Sequence, residues 1–290
     1  MPQGLSIHCP TPSDDERACC LCGGEDFQRL HEWKPREGWN PASIPIAVWK
    51  CSCELVLLHP VPAPEQMPDD GDWWSRQRKS KRRSPRMKRF REWLQRLLFK
   101  APPHRFIDQT KKAVPAGKML DIGCGRGALM KYASRYYDCV GLDPSPAAAA
   151  AVAEKGLPII QDTIENADLE DASYDVVTMD SVIEHVLDPV ETLEKIHRIL
   201  KPGGVVAMKT PKFDGPAYRR HGAEWNGFRH GYHTYLFTGD TLGRARVAAG
   251  FEVLDNPKRD RLWDDVLILW GRKPSDEPVV SIPFDNRRAG

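Results

Sequence analysis

The sequence predicts an α/β fold with a doubly wound, mostly parallel sheet, and three observations support this prediction. After Lys118, short apolar runs alternate with helical patterns, as expected of a parallel sheet covered on both faces. One apolar run ends at Asp121 and continues into three closely spaced glycines. No apolar run approaches the roughly 18 residues that a membrane-spanning helix needs, which disfavours an integral membrane protein. The 290 residues fit one principal domain and a smaller region.

Seven strands and four helices are predicted in this part of the chain. The strand candidates are Met119–Ile122, Cys139–Asp143, Ile159–Asp162, Val176–Asp180, Val205–Thr210, Phe251–Leu254 and Asp265–Trp270. The helix candidates are Ala128–Arg135, Ala147–Lys155, Val190–Leu200 and Gly239–Gly250. A turn through Pro202 and Gly203 is predicted to end the third helix.

The glycines after Asp121 form a candidate nucleotide-binding turn. Glycine allows a positive φ and close approach of a ligand, and the following helix offers unpaired N–H groups. An ordinary tight turn is the alternative, which the flanking strand and helix disfavour. Gly123, Gly125 and Ala128 also satisfy the G-x-G-x-x-A fingerprint of NAD-binding folds. Asp143 lies about 20 residues after the glycines. It is consistent with NAD or with another nucleotide, because a carboxylate can bind the ribose hydroxyls of either.

Further motifs separate the chain from NAD-binding folds. They are the acid two residues before the first glycine, the run Asp175–Val186 and the turn Lys201–Gly204. In this order, from about Lys118 to Lys273, the pattern closely resembles the class I S-adenosylmethionine-dependent methyltransferases. The resemblance implies a Rossmann-like methyltransferase with a seven-stranded sheet whose last strand is antiparallel, and S-adenosylmethionine as the cofactor.

The resemblance also implies cofactor contacts. Residues in the matching positions are Asp121, Gly123, Gly125, Gly127, Asp143, Asp162, Thr163 and Ile164. The three glycines would line the methionine part, with Asp121 near its amino group and Asp143 at the ribose hydroxyls. Asp162 would accept a hydrogen bond from the adenine amino group. Thr163 and Ile164 would flank the adenine ring. A helix N-cap is the alternative role for Asp162.

Two histidines are the candidate catalytic residues. His185 follows the fourth strand, and ligands of doubly wound sheets bind beyond the carboxyl ends of strands. An unperturbed pKa of about 6.5 suits it to take a proton from an acceptor hydroxyl, and a structural hydrogen bond is the alternative. His233 lies in a segment, Trp225–Thr238, that resembles the W…H-x-x-x-F-[ST] segment closing over the acceptor in this family. Tyr235 and Phe237 there are alternatively core residues.

The predicted function is methyl transfer from S-adenosylmethionine to a small-molecule or glycan-linked hydroxyl acceptor. The sulfonium carries an activated methyl group, so the protein has chiefly to align a nucleophile and remove water and a proton, which needs no metal. An RNA or protein methyltransferase is the alternative, and a non-catalytic cofactor-binding scaffold is a second one.

Residues 1–66 are predicted to form a small cysteine-rich module. Two cysteine pairs, Cys19 with Cys22 and Cys51 with Cys53, indicate a tetrahedral structural zinc site. Four thiolates would tie together a segment too short for a core of its own. Buried reduced cysteines are the alternative.

The resemblance extends to this module, with a departure. Many methyltransferases of this branch begin with C-x-L-C-G and then C-x-x-C-G-L-V. Here the second pair is C-x-C, with Lys50 at the position of the third cysteine and Glu54 at that of the glycine. His59, Cys20 or Cys9 is therefore an alternative ligand to Cys51.

Residues 67–115 are predicted to be a basic linker with an amphipathic helix. The run 76–91 holds ten basic side chains and no acid, so it suits RNA, an anionic membrane surface or a pyrophosphate. Phe90–Leu98 then places apolar residues at helical spacing, which either bind a membrane or pack on the sheet. The methyltransferase domain is expected at 116–274 and a loose tail at 275–290. The N-terminus lacks a secretory pattern, so the expected location is cytoplasmic, with possible peripheral contact with a membrane.

Overall fold

The computed structural model of this chain describes residues 18–32, 46–60, 102–229, 233–254 and 265–275. The strands are β1 (Phe27–Glu32), β2 (Ala47–Cys51), β3 (Val56–His59), β4 (Gly117–Ile122), β5 (Tyr137–Leu142), β6 (Ile159–Ile160), β7 (Tyr174–Asp180), β8 (Leu200–Pro211), β9 (Tyr235–Leu236), β10 (Glu252–Val253) and β11 (Val266–Arg272). The helices are α1 (Pro102–Ala113), α2 (Ala128–Ala133), α3 (Pro146–Ala153), α4 (Pro189–Ile199), α5 (Pro216–His221), α6 (Asn226–Arg229) and α7 (Gly239–Ala248).

The larger sheet has seven strands in the order β10-β11-β8-β7-β4-β5-β6. Strands β6, β5, β4, β7 and β8 are parallel, and β11 and β10 are antiparallel to their neighbours. The predicted mostly parallel seven-stranded sheet is therefore confirmed. The chain order reverses at β4, which lies between β5 and β7. A ligand crevice is expected outside the carboxyl ends of the strands at such a switch point.

Apolar side chains explain why this sheet is buried on both faces. Met119 and Leu120, successive residues of β4, are both inaccessible to solvent. Continuous apolar strands of this kind are typical of parallel sheets covered by helices. Helix α4 buries Leu193 and Ile196 on its sheet-facing side. Asp188 caps this helix, since its side chain accepts hydrogen bonds from the backbone N–H groups of residues 190 and 191.

The structure changes the bounds of two predicted elements. The residues from Lys201 to Gly204 belong to β8, which already begins at Leu200. The pairing of β7 with β8 shifts register there, and Gly203 has φ 79°, so the glycines form an irregularity within the strand. The strand expected at Ile159–Asp162 ends after two residues, because Asp162 turns the chain.

Helix α1 lies inside the segment predicted to be a linker. Its Phe106 and Ile107 are buried in the cluster that also contains Met119 and Trp270. The indole Nε1 of Trp270 donates a hydrogen bond of 3.0 Å to Thr110 Oγ1 of this helix. The part of the chain that packs on the large sheet therefore begins earlier than residue 116.

A second sheet, with the order β1-β2-β3-β9, was not predicted. Its first three strands come from the cysteine-rich region, but β9 lies between β8 and β10 of the large sheet in sequence. Val56 pairs with Leu236 and Leu57 with Tyr235, in antiparallel register. Cys19 and Leu55 lie in the same buried cluster as Leu120. The described part of the cysteine-rich region thus shares its core with the large sheet.

Several predictions fall outside the described residues. They concern the basic run 76–91, the amphipathic helix at Phe90–Leu98 and the tail after residue 275. The boundaries at 66 and 115 also stay predictions. In the described ranges, no helix combines the length and apolar character needed to cross a membrane.

Candidate active site

The glycine turn joins β4 to α2 with three left-handed residues. Gly123, Gly125 and Gly127 have φ values of 63°, 51° and 68°, a region that glycine adopts without steric cost. A Cβ built at Gly125 would have no heavy atom of the described chain within 4 Å. The turn therefore leaves an open face at its middle glycine, as close approach of a ligand requires.

Asp143 lies beside this turn at the end of β5. Its Oδ2 accepts a hydrogen bond of 2.8 Å from the Gly125 N–H, and its Oδ1 accepts one of 3.0 Å from the Ser145 N–H. The side chain is half-buried. The structure thus brings together the carboxylate predicted to bind ribose and the glycine turn predicted to bind methionine.

Asp121 is buried within the sheet directly before the turn. It accepts a hydrogen bond of 2.6 Å from Thr178 Oγ1 of β7. Burial raises the pKa of its carboxyl from 3.8 to about 7, an effect that the Thr178 hydrogen bond partly offsets. A cationic group nearby would favour the charged form of this side chain, which fits the ammonium group of S-adenosylmethionine.

The predicted adenine-binding residues form a turn after β6. Asp162 Oδ1 accepts a hydrogen bond of 2.8 Å from the Thr163 N–H, and Thr163 Oγ1 accepts one of 3.4 Å from the Asn166 N–H. A turn follows rather than a helix, so the alternative of a helix N-cap at Asp162 is not observed. Ile164 is 4% exposed and belongs to the main core. The structure places this turn next to β5 through the β5–β6 pairing.

The two candidate catalytic histidines lie against each other. The ring centroids of His185 and His233 are 4.8 Å apart, in an edge-to-face arrangement. His185 is exposed and His233 is buried, and His233 Nδ1 lies 2.7 Å from the carbonyl oxygen of Gly227. The sequence predicted both residues separately, and the structure brings them together at the carboxyl end of β7.

Backbone hydrogen bonds explain this approach. The Tyr235 N–H donates to the Glu184 carbonyl at 3.2 Å, and the Tyr235 hydroxyl donates to the Leu187 carbonyl at 3.0 Å. On the other side of the same segment, the Leu58 N–H donates a hydrogen bond of 2.9 Å to the Thr234 carbonyl. The segment carrying His233 is therefore held between β3 and the loop carrying His185.

Glu184 is a site residue that the sequence analysis did not assign. It is 1% exposed, and its Oε2 accepts a hydrogen bond of 2.8 Å from Thr210 Oγ1. Its Oε1 is buried without a hydrogen-bond partner among the residues that the structure describes. Burial raises the pKa of this carboxyl to about 7. In the sequence, only its position next to His185 indicated that Glu184 belongs to the site.

Aromatic side chains pack together before His233 in the chain. Trp225 and Phe228 pack edge to face with centroids 5.3 Å apart, and both contact Phe213, which follows β8. Tyr235 and Phe237, for which a core role was the alternative, are indeed buried at 4% and 0% exposure. The described part of the segment therefore supports the site by packing.

The four predicted zinc ligands also cluster. The Sγ atoms of Cys19 and Cys53 are 3.5 Å apart, those of Cys22 and Cys51 are 3.6 Å apart, and all four lie within 4.8 Å of one another. Four thiolates around zinc, at Zn–S distances of about 2.3 Å, have sulfur atoms about 3.8 Å apart. The geometry and the donor set thus fit a tetrahedral metal ion with no open position.

Each cysteine pair lies in a tight turn. The Gly23 N–H donates to the Cys19 carbonyl at 2.7 Å, and the Gly24 N–H lies 3.4 Å from Cys22 Sγ. Burial raises the pKa of the Cys19 thiol, so a cation is needed to favour its thiolate. Cys51 reaches the cluster directly, and no replacement by Cys20 or His59 is required.

Comparisons with known proteins identify the family of this chain. A family profile described as a methyltransferase domain matches residues 81–256, more than half of the chain. Ubiquinone biosynthesis O-methyltransferase of Pectobacterium atrosepticum is 35% identical over 113 residues, which are 36% of this chain and 47% of that protein. The enzyme of the same name from Klebsiella pneumoniae subsp. pneumoniae is 35% identical over 121 residues, 39% of this chain and 50% of that protein.

These alignments are partial. The chain spans about half the length of the curated relatives it matches. Among solved structures, the chain is similar to a 1,6-didemethyltoxoflavin-N1-methyltransferase of Burkholderia thailandensis, with 19% identity, coverage of 77% of this chain and 96% of that one, and a TM-score of 0.48.

Proposed function

Since the chain belongs to the S-adenosylmethionine-dependent methyltransferases through its methyltransferase domain, we propose that it methylates a hydroxyl group of a small-molecule or glycan-linked acceptor. One observation carries the proposal: two histidines lie together at the loop after β7, and Val182 of this loop contacts Gly123 of the glycine turn. The partial relatives named ubiquinone biosynthesis O-methyltransferases support an oxygen acceptor.

The cofactor residues of this proposal are those in the glycine turn and at the ends of β4, β5 and β6. Gly125 offers an open backbone face, Asp143 a half-buried carboxylate and Asp121 a buried one. Asp162, Thr163 and Ile164 are proposed to hold the adenine. S-adenosylmethionine supplies a methyl group already activated on a sulfonium when bound.

The protein's own residues position the acceptor and accept its proton. The hydroxyl is proposed to lose its proton at the His185–His233 pair, with Nδ1 of His233 oriented by the Gly227 carbonyl. The buried cluster of Trp225, Phe228 and Phe213 is proposed to support the segment that carries His233. Orientation of the acceptor is a main contribution that a methyl transfer needs.

We further propose that Cys19, Cys22, Cys51 and Cys53 hold a structural zinc ion. The short sulfur–sulfur distances and the four-thiolate donor set support it. Its expected role is to hold the turn before β1 against the turn between β2 and β3. A cytoplasmic location and contacts of the run 76–91 with a membrane stay predictions, and no observation on the described residues favours RNA or protein as the acceptor.

Calorimetric titration with S-adenosylmethionine tests the first step. Wild-type protein should bind it, and Asp143→Ala should bind it at least about tenfold more weakly because the ribose contact is lost. Asp138→Ala changes an exposed carboxylate on the same strand and should bind like the wild type. Absence of binding by folded wild-type protein would overturn the proposal.

Formation of S-adenosylhomocysteine tests the second step. Phenols, catechols and glycan-linked hydroxyls are offered as acceptors, and the wild type is compared with His185→Gln. A loss of turnover with unchanged cofactor binding is expected. Cofactor binding without turnover on any of these acceptors would favour the non-catalytic scaffold.

A further inference from the structure

We propose that Glu184, His185 and His233 form a second metal site, which binds a divalent cation beside the acceptor. One ligand atom from each of these side chains lies within 4.8 Å of the others. The inference rests on the proposed function and adds a cation to the site at which the acceptor hydroxyl loses its proton. This second site shares no ligand with the four-cysteine cluster.

The unusual feature of this cluster is a buried carboxylate with unused bonding capacity. Glu184 is 1% exposed, and its Oε2 is bound by Thr210. Its Oε1 has no hydrogen-bond partner in the described part of the chain. A buried polar atom without a partner costs about 1–3 kcal/mol, and a cation would offset that cost.

The nearest basic side chain does not fill this role. Lys209 Nζ lies 2.7 Å and 3.0 Å from the two carboxylate oxygens of Asp180, so its charge is engaged there. The opposite charges of Asp180 and Lys209 offset each other, so this ion pair supplies little net charge to Glu184. The cation is therefore argued from the unpartnered Oε1 atom and the two adjacent histidines.

The histidines are prepared to act as ligands. The Gly227 carbonyl can only accept a hydrogen bond, so His233 Nδ1 must be the donor. In the neutral ring, the lone pair then resides on Nε2, which suits metal coordination. A histidine ligand whose other nitrogen donates to a carbonyl is the usual arrangement in metal sites. Thr210 orients the carboxylate of Glu184 in a comparable way.

The size of the cluster fits one cation after a small adjustment. Nitrogen and oxygen ligands lie about 2.0–2.2 Å from a divalent transition metal, so two of them are at most about 4.4 Å apart. The ligand atoms here lie within 4.8 Å of one another. His185 is exposed, so a rotation of its ring can adjust these distances, and hydrogen bonds orient Glu184 and His233.

A cation with three protein ligands keeps open positions for a further oxygen. With the cation bound, the histidines serve as its ligands and not as bases. The acceptor hydroxyl then loses its proton to solvent, because the cation stabilises the resulting oxyanion. That oxygen then attacks the methyl carbon, and the carbon–sulfur bond breaks with its electron pair left on sulfur. The products are a methyl ether and S-adenosylhomocysteine, so charge and atoms balance.

Manganese is the suitable probe, because Mn²⁺ prefers nitrogen and oxygen ligands and the four-cysteine cluster prefers softer metals. Binding of Mn²⁺ to the full-length protein is measured by electron paramagnetic resonance. One saturable site per chain is expected. His185→Gln and Glu184→Gln should each weaken it roughly tenfold or more, and His221→Gln, which changes an exposed histidine on α5, should leave it unchanged.

Circular dichroism establishes whether each variant is folded. If Glu184→Gln does not fold, His185→Gln alone tests the proposal. Absence of saturable Mn²⁺ binding by wild-type protein, or equal binding by the wild type and His185→Gln, would overturn the proposed cation site. Titration with S-adenosylmethionine on the same samples separates the two proposals. Cofactor binding without Mn²⁺ binding rejects only the cation, and Mn²⁺ binding without cofactor binding rejects the proposed function.

Discussion

Val182 packs directly against Gly123, so that the loop after β7 and the glycine turn after β4 are in contact. A Cβ built at Gly123 would overlap Cγ2 of Val182. Gly123 also has φ 63°, a region that side chains disfavour. Two independent constraints therefore require glycine at this position, one from the backbone and one from the loop that leads to His185.

Gly123→Ala should abolish measurable binding of S-adenosylmethionine, because both the turn and the adjoining loop must shift. Val182→Ala removes the overlapping methyl groups and should restore part of the lost stability in the double variant. A coupling free energy of about 1–3 kcal/mol in a double-mutant cycle of unfolding is expected. Additive effects of the two substitutions would contradict the contact. Gly156→Ala is the control, because it has a similar φ of 67° but no neighbour within 4 Å in the described chain.

Stability of the cofactor-free protein should fall as pH rises from about 4 to about 7. Burial raises the pKa of Asp121 from 3.8 to about 7, so the folded chain holds a proton that the unfolded chain has already lost. The folded state binds more protons in this window, and stability therefore decreases with pH. Each unit of difference in pKa corresponds to roughly 1.4 kcal/mol.

Asp121→Asn should reduce this pH dependence, measured as the change in Tm between pH 5 and pH 8. The amide keeps the shape of the side chain but does not titrate. Part of the dependence should remain, because burial raises the pKa of Glu184 in the same direction. The exposed variant Asp138→Asn should retain the wild-type profile. Identical profiles for Asp121→Asn and wild type would contradict the assignment.

Glu54 occupies a backbone conformation that suits glycine. Its φ is 73°, in the turn between β2 and β3, and its side chain forms an exposed ion pair of 3.0 Å with Lys50. Glu54→Gly and Glu54→Ala both remove this ion pair, so their comparison isolates the backbone. The glycine variant should be more stable than the alanine variant by about 1 kcal/mol in denaturant unfolding. Equal stability would show that the turn is not strained.

Zinc content distinguishes the cysteines of the cluster from their buried neighbour. Cys53→Ser removes one of four thiolates and should reduce bound zinc, measured by mass spectrometry of the metal, from about one per chain to a small fraction. Cys20→Ser changes a buried cysteine outside the cluster and should retain the zinc. Chelation should lower the Tm of wild-type protein and not that of Cys53→Ser. Retention of zinc by Cys53→Ser would contradict the ligand set.

The large sheet and its cofactor side were predictable because their signals are local. The glycine turn, Asp121 and Asp143 each end or follow an apolar strand, and parallel strands bring their carboxyl ends to one edge of a sheet. Glu54 shows the limit of motif matching. Its identity departs from the family pattern, but the backbone still has the glycine conformation, so the turn and the position of Cys51 are retained.

The remaining features depend on contacts between distant parts of the chain. Nothing in the local pattern of Tyr235–Leu236 indicates that this two-residue strand pairs with β3. The inclusion of Lys201–Gly204 in β8 also depends on β7, which pairs with Leu200 before these residues and with Val205 after them. Glu184 was missed for the same reason, since its bond to Thr210 and its approach to His233 come from the assembled sheet.

The pairing of β3 with β9 has a consequence for the order of folding during synthesis. Leu57 pairs with Tyr235, about 180 residues later in the chain. Contacts of such long sequence separation form late, because closing the loop costs entropy before the contact is made. While the ribosome makes the intervening residues, one edge of β3 has no partner strand, although half of its side chains are of the buried apolar type. The nascent cysteine-rich region is thus expected to need protection from aggregation until nearly the whole methyltransferase domain has been made.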